Sequence, residues 1–385
     1  MMLDIITQRN NITQSREARK ILITYDEERM FIGDSYILIN QLASCKLYFT
    51  KADIYINCPH KKYTDLCLAL LKNNPFIAGF NNLSWEEIDY AEYDILFCIT
   101  QNEQKLLDIL EQKYLEQQPA PWTTAVYSMS SQFLNSRLNP VISTALPPFR
   151  EILDNAEQFV TGQPSELYVS PEEKEWANNW LRKNGVKEHE RLFILLDSTS
   201  QRYKLINMDT YQAVLEHLLN EECVKFLVFD EQGVGKESFY RTIIGEERLS
   251  KMIFAKGLGL REAICILSSD YTKLIFGPCT GLMHCASGIY NNFVRNGMEP
   301  SAAPGIIIYT GKYNDGYAAE FWWDTSPLVT CLIVRSTADN GKEVVVLSEL
   351  PEEEKKDVST LLLCKEYTPD LLINHLPVYE QALVI

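Results

Sequence analysis

A chain of 385 residues with 46% hydrophobic and 23% charged side chains is long enough for two domains of ordinary size and has the composition of a globular protein. Its formal charge of −16 excludes broad nucleic-acid binding, which needs a basic face, and leaves at most peripheral contact with an anionic membrane. The ten cysteines form no C-x-x-C pair, and Cys45, Cys58, Cys67, Cys98, Cys223 and Cys265 sit in or beside apolar runs, so they read as reduced core thiols and not as a disulfide frame or zinc site.

Residues 1–18 read as a polar leader with little to bury, without the apolar core of a signal peptide. No window approaches the length needed to span a bilayer, and a cytoplasmic protein, at most touching the inner face of the membrane, is expected. Lys20–Thr24, KILIT, reads as the first strand. A charged loop, Tyr25–Met30, leads to Phe31-Ile32-Gly33-Asp34, which opens a helical pattern through Leu38, Leu42 and Leu47. Asp34 then falls at a helix start just past the carboxyl end of a strand. Ligands bind there in open α/β sheets, and an Asp there also serves as an ordinary cap. A strand at Asp53–Asn57, a helix near 62–72, a strand at Tyr93–Ile99 and a helix near 102–116 continue an alternation typical of a parallel sheet covered by helices. Residues 119–150, richer in Pro, Ser and Thr, show no clear element. A helix around Glu151–Phe159 and a linker at Thr161-Gly162-Gln163-Pro164 follow.

The second half repeats the theme. Ser170-Pro171-Glu172-Glu173 is a helix opening with cap, proline and first-turn acids in order, and the helix should end near Asn184-Gly185. Strands are predicted at Leu192–Leu196, Lys225–Phe229, Met252–Phe254, Leu274–Phe276 and Ile306–Tyr309. Helices are predicted around Tyr211–Leu218, Lys236–Gly245, Leu260–Ser268 and Thr280–Ile289. The acidic run Pro351–Asp357 reads as a solvated loop or helix start. The expected architecture is α/β, with two Rossmann-like domains facing a cleft: residues 1–162, residues 163–365, and a final helix within 366–385 returning toward the first domain.

Lys273–Asn292, KLIFGPCTGLMHCASGIYNN, concentrates the chemistry. A strand, a tight turn at Cys279-Thr280-Gly281 and a helix N-terminus present backbone N–H groups and a positive dipole end to an anion. Thr280 and His284, four apart, share a face of the first turn. The same pattern fits a plain turn with a capping Thr and a buried His. Gly233-Val234-Gly235-Lys236 mimics a phosphate loop, but Asp230 and Glu237 stand where a P-loop needs Gly and Ser or Thr, so it reads as a Gly-rich turn. Trp322-Trp323 fits either stacking on a sugar or closing the core.

These stretches carry a resemblance. GPCTGLMHCA at Gly277–Ala286 resembles the G-x-D-T-G-x-x-H-x-A donor motif of glycosyltransferase family 9, the ADP-heptose:lipopolysaccharide heptosyltransferases. KILIT with Gly33-Asp34 is similar to that family's first strand and helix opening. Lys204 in KLINMDTYQAVLEHL falls on the Lys of its K-x-W-P-x-E-x-W segment, KGLGLREAICILSSDY on its Leu-Arg-Glu helix, and Tyr367–Leu376 on its last helix. The match is patchy over 1–160 and better over 190–310.

The resemblance implies the GT-B fold and an inverting transfer that needs neither divalent metal nor cofactor. Its partners are a nucleotide-sugar donor, such as ADP-heptose, held by the second domain, and a glycan or glycolipid acceptor at the first. Asp34 would be the base, with Gly33 beside it in the acceptor-side loop. Lys204, with Arg202 nearby, would neutralise the diphosphate, while Cys279, Thr280, Gly281 and His284 would line the donor pocket. Cys279 stands where the family has Asp, Ile206-Asn207 replace Trp-Pro, and the loops at Tyr25–Met30 and Asn291–Pro304 are longer. A nucleotide-sugar-binding protein without transfer activity and a two-domain epimerase are the alternatives.

Overall fold

The computed structural model describes residues 1–12, 17–26, 30–33, 46, 49–100, 102–128, 164, 166–230, 233–312, 323, 326–355 and 357–377, without the side chains of 11, 12, 99 and 103. The chain forms two units, Met1–Gln163 and Pro164–Ile385.

Among the described residues, five parallel strands build the first unit: β1 (Lys20–Asp26), β2 (Asp53–Asn57), β3 (Gly79–Asn81), β4 (Ile95–Thr100) and β5 (Ala125–Ser128), in the order β3-β2-β1-β4-β5. Central β1 is buried from Ile21 through Tyr25, which is why it reads as an unbroken apolar run and not an alternating one. Among the described residues its α-helices are α1 (Met2–Ile12), α2 (Thr64–Leu71) and α3 (Glu103–Gln117).

Helix α1 corrects the reading of residues 1–18 as a leader with little to bury. Met2, Ile6 and Asn10, four apart, form its buried stripe. The Asn10 amide donates to the Val126 carbonyl at 2.9 Å and accepts from the Val126 N–H at 3.0 Å, satisfying both backbone groups of a residue in edge strand β5. A polar residue therefore completes the apolar stripe, and the periodicity hides it. The helix expected through Leu38–Leu47 and the one around Glu151–Phe159 fall largely or wholly outside the described residues.

Among the described residues the second unit has seven strands: β6 (Arg191–Leu195), β7 (Val224–Asp230), β8 (Met252–Lys256), β9 (Thr272–Pro278), β10 (Gly305–Thr310), β11 (Val329–Ser336) and β12 (Lys342–Val346). Their order is β12-β11-β10-β9-β6-β7-β8, parallel except for the β11–β12 pair. Helices α4 (Pro171–Lys183), α5 (Met208–Leu219), α6 (Lys236–Leu249), α7 (Leu260–Leu267), α8 (Gly281–Arg295) and α9 (Pro369–Ile373) accompany it. Ser170 and Glu173 form the reciprocal capping box of α4, with Pro171 in its first turn. Helix α6 runs beyond its expected end at Gly245, which kinks it with φ 80°.

The last segment packs within the second unit. Tyr367, Leu372 and Leu376 join a core that includes Val214, Leu218, Ile307 and Leu332. The Tyr367 hydroxyl lies within hydrogen-bond reach of both the Thr310 carbonyl (2.7 Å) and the Leu332 carbonyl (2.8 Å). The helix expected to return toward the first domain thus uses its apolar side chains, through Leu376, to close the second. Among the described residues no helix is long and apolar enough to cross a membrane.

Candidate functional site

Strand order locates the place where the second sheet can open to a ligand. From β6 the chain proceeds to β7 and β8 on one side, then crosses to β9 and β10 on the other, so the order reverses between β6 and β9. The two strands approach closely there: the Leu196 N–H donates to the Phe276 carbonyl at 2.8 Å, and a Cβ on Gly277 would stand 2.3 Å from the Leu196 carbonyl oxygen. Only glycine lets the carboxyl ends of β6 and β9 sit side by side.

Past β9, Cys279-Thr280 leads into α8. Thr280 occupies the cap position in an extended conformation, and its carbonyl accepts the N–H groups of Met283 (3.1 Å) and His284 (3.3 Å). Its hydroxyl makes no capping bond, and Oγ1 is buried without a hydrogen-bond partner. Lys204 reaches the same turn from the short 3-10 helix Arg202–Lys204, its Nζ donating to the Cys279 carbonyl at 3.5 Å. The sequence-predicted Lys204, Cys279, Thr280, Gly281 and His284 are therefore brought together. Arg202 is on the same 3-10 turn, exposed. Gly33 is half-buried at a helix start in the first unit, and Asp34 lies outside the described residues.

His284 is buried, its ring stacked on Trp323 at 4.0 Å and 13°. Burial, and next the positive charge of Lys204, push its pKa down to about 3, so the ring is neutral and offers one N–H donor at most. Trp323 is 3% exposed, and its indole Nε1 has no hydrogen-bond partner. Trp322 lies outside the described residues.

Beside this turn stands a cluster the motif reading missed. Lys236, which follows the Gly-rich turn, pairs with Asp197 at 2.6 Å, and both side chains are nearly buried. Its Nζ also donates to Ser198 Oγ (2.7 Å) and the Phe229 carbonyl (2.5 Å). The Tyr240 hydroxyl donates to the other Asp197 oxygen at 2.8 Å and lies 2.5 Å from the Tyr211 hydroxyl. Burial, with Asp197 nearby, raises both phenols, so they stay protonated as donors. Gly233 and Gly235 adopt φ of 61° and 84°. The turn aims its lysine at Asp197, two residues past β6, and so ties together the segments that leave β6 and β7. It is a strut and not a P-loop. Asp230, fully buried, accepts the Val234 N–H at 2.9 Å through Oδ1, while its Oδ2 has no partner. A lone lysine after two glycines carries no signal of where it will dock.

No protein-family model matches the chain, and no curated protein does. Among solved structures, the E. coli ADP-heptose lipopolysaccharide heptosyltransferase II matches with a TM-score of 0.57 over 92% of this chain and 96% of that one, at 14% identity. A family 9 glycosyl transferase from Veillonella parvula is similar at TM-score 0.47 and 14% identity, over 76% of this chain and 79% of that one. An E. coli heptosyltransferase with ADP is similar at TM-score 0.43 and 11% identity, over 77% and 89%. At such identity the first likeness establishes the fold, an α/β architecture of the GT-B type.

Proposed function

We propose that this chain is an inverting, metal-independent glycosyltransferase. It takes a sugar, with heptose carried on ADP as the first donor to try, from a nucleoside diphosphate to a lipopolysaccharide-like or other bacterial surface glycan. It would work in the cytoplasm, at the inner face of the membrane. One observation carries the reading. At the switch point of the second sheet, a buried Thr280 hydroxyl with no hydrogen-bond partner sits at the N-terminus of α8, beside Lys204. An unsatisfied buried polar atom costs about 1–3 kcal/mol, so such an atom in a native fold asks for a ligand. Phosphate oxygens suit it, since they accept from hydroxyl, ammonium and first-turn N–H groups together. The GT-B likeness to a heptosyltransferase supports the same choice.

In this reading Lys204 and the start of α8 hold the diphosphate and stabilise the charge that develops on it as the bond to the sugar breaks. Lys204→Met should weaken ADP binding about 10- to 100-fold, the worth of a charge-assisted bond. Calorimetry reads it, and unchanged affinity would remove Lys204 from the site. The family resemblance gives the acceptor's proton to Asp34. Full turnover by a folded Asp34→Asn variant would take that role away.

A nucleotide-sugar-binding protein without transfer activity is the second reading, favoured by Cys279 at the position where the resembled motif has Asp. Calorimetry with ADP- and GDP-sugars, paired with turnover assays, separates the two: binding without turnover selects it.

A further inference from the structure

Two polar atoms beside His284, at the carboxyl crest of the second sheet, are buried without a hydrogen-bond partner among the described residues. One is Thr280 Oγ1, four residues earlier on the same face of α8. The other is the indole Nε1 of Trp323, whose ring stacks on the imidazole. Buried polar groups in native proteins are almost always satisfied, so an orphaned N–H asks for a partner. The Trp323 ring is 3% exposed and gives one face to His284, so it is not open to stack on a sugar. The ring packs, and what it offers a ligand is the N–H. An indole N–H only donates, as do Lys204 and the first-turn N–H groups of α8, so the group that satisfies them is rich in acceptor oxygens.

Strand order sets which part of that group meets Trp323. Along the crest β7, β6, β9 and β10 follow one another. Lys204 comes to the Cys279 carbonyl from the segment that leaves β6, so a diphosphate held there lies at β6 and β9. On one side Asp230 ends β7, with its buried Oδ2 unpartnered. In Rossmann-like units an acid that follows the first strand–helix pair accepts a ribose hydroxyl, which gives the nucleoside to this side. On the other side, past β9, Trp323 lies between β10 and β11. That leaves it the group on the far end of the diphosphate.

We propose that Trp323 reads the sugar of the donor: its indole N–H donates to an oxygen of the glycosyl group joined to the diphosphate. The proposal rests on the transferase reading. His284 is the positioning residue, since a neutral ring stacked at 4.0 Å and 13° fixes the plane of the indole and with it the direction of the N–H. A hydroxyl or ring oxygen of a hexose or heptose accepts such a bond, whereas the ammonium of an amino sugar does not. A nucleoside diphosphate without its sugar does not reach Nε1, so Trp323 distinguishes the donor from the product it leaves behind. Lys204 and Thr280 serve both.

Calorimetry on the full chain compares ADP with ADP-heptose or, where GDP or UDP raises the melting temperature more, that nucleotide with GDP-mannose or UDP-glucose. Trp323→Phe keeps an aromatic ring against His284 and removes the N–H. It should bind the nucleoside diphosphate within about twofold of wild type and the nucleotide sugar about five- to tenfold more weakly. An equal loss for both ligands, or a loss below about twofold for the nucleotide sugar, overturns the proposal. A second measurement needs no variant. In a crystal of the wild type with the nucleotide sugar, Nε1 should stand about 3 Å from a sugar oxygen, and a sugar with no oxygen within about 3.5 Å of it overturns the proposal. If the wild type binds none of ADP, GDP and UDP, the transferase reading has failed and takes this one with it. If it binds one of them and the sugar makes no use of Nε1, only this proposal is lost.

Discussion

The two sheets place different chemistry at equivalent points of similar frameworks. At the crest of the second, in the arrangement we propose for an anion, Lys204 is set against a carbonyl, His284 is neutral, and Lys236 is neutralised by Asp197. At the crest of the first, the Asp26 carboxylate and the His60 imidazole, on neighbouring strand ends, stand 2.6 Å apart. The difference teaches that a parallel sheet fixes where chemistry happens and leaves its kind to the few residues that follow each strand. It also separates residues that hold the second crest together from those that await a ligand, and variants can test that division.

The largest expected effect belongs to the strut. Lys236→Met leaves Asp197 buried opposite an apolar chain and should destabilise the second unit by about 3–5 kcal/mol. Adding Asp197→Asn should recover much of that loss, since the uncompensated charge goes with it. Urea unfolding of the single and double variants measures both. A single variant as stable as wild type would mean that Lys236 is not a strut and returns it to the candidates for phosphate binding.

His284 gives the next effect, read through pH. Its folded pKa, about 3, is depressed below the ordinary histidine value near 6.5 because the buried ring resists charging. The unfolded chain therefore binds more protons between those values, and stability falls as pH drops through about 6.5 toward 3. Between about pH 7 and pH 5 the loss should approach about 2 kcal/mol, and His284→Gln should lack this component. Equal pH dependence in the two proteins would show that the ring is hydrated and accessible, and would move it from the packed part of the crest to the ligand side.

The sequence and the structure agree where a residue's neighbours in the chain decide its environment. Runs such as Lys20–Thr24 and Leu274–Phe276 lie within strands because both faces of a parallel sheet are covered, and the capping box at Ser170 is a local motif with a local result. Neither β11 nor β12 is among the predicted strands, although Val329–Val334 carries the same apolar signal within β11; β12, half-buried along an edge, carries a weaker one. The Cys279–His284 turn was legible for the same reason. What escaped the pattern rules depends on distant partners. Asn10 completes an apolar stripe only because Val126 offers two backbone groups, and Lys236 becomes a strut only because Asp197 lies just past the end of β6. Asp26 and His60 meet only because β1 and β2 are adjacent.

Thr280 gives the smallest effect and the sharpest division. Its hydroxyl caps nothing and its oxygen has no partner, so Thr280→Val, close to it in shape, removes a desolvated polar atom and should leave stability unchanged or slightly raised. If that oxygen waits for phosphate, the same change should weaken ADP binding by about 1 kcal/mol, roughly fivefold, in calorimetry. Lys236→Met predicts the reverse, lost stability with ADP affinity little changed in the protein that remains folded. A Thr280→Val protein that loses stability and keeps its affinity would make the threonine a packing residue. The N-terminus of α8 would then have to hold phosphate through Lys204 and backbone N–H groups alone.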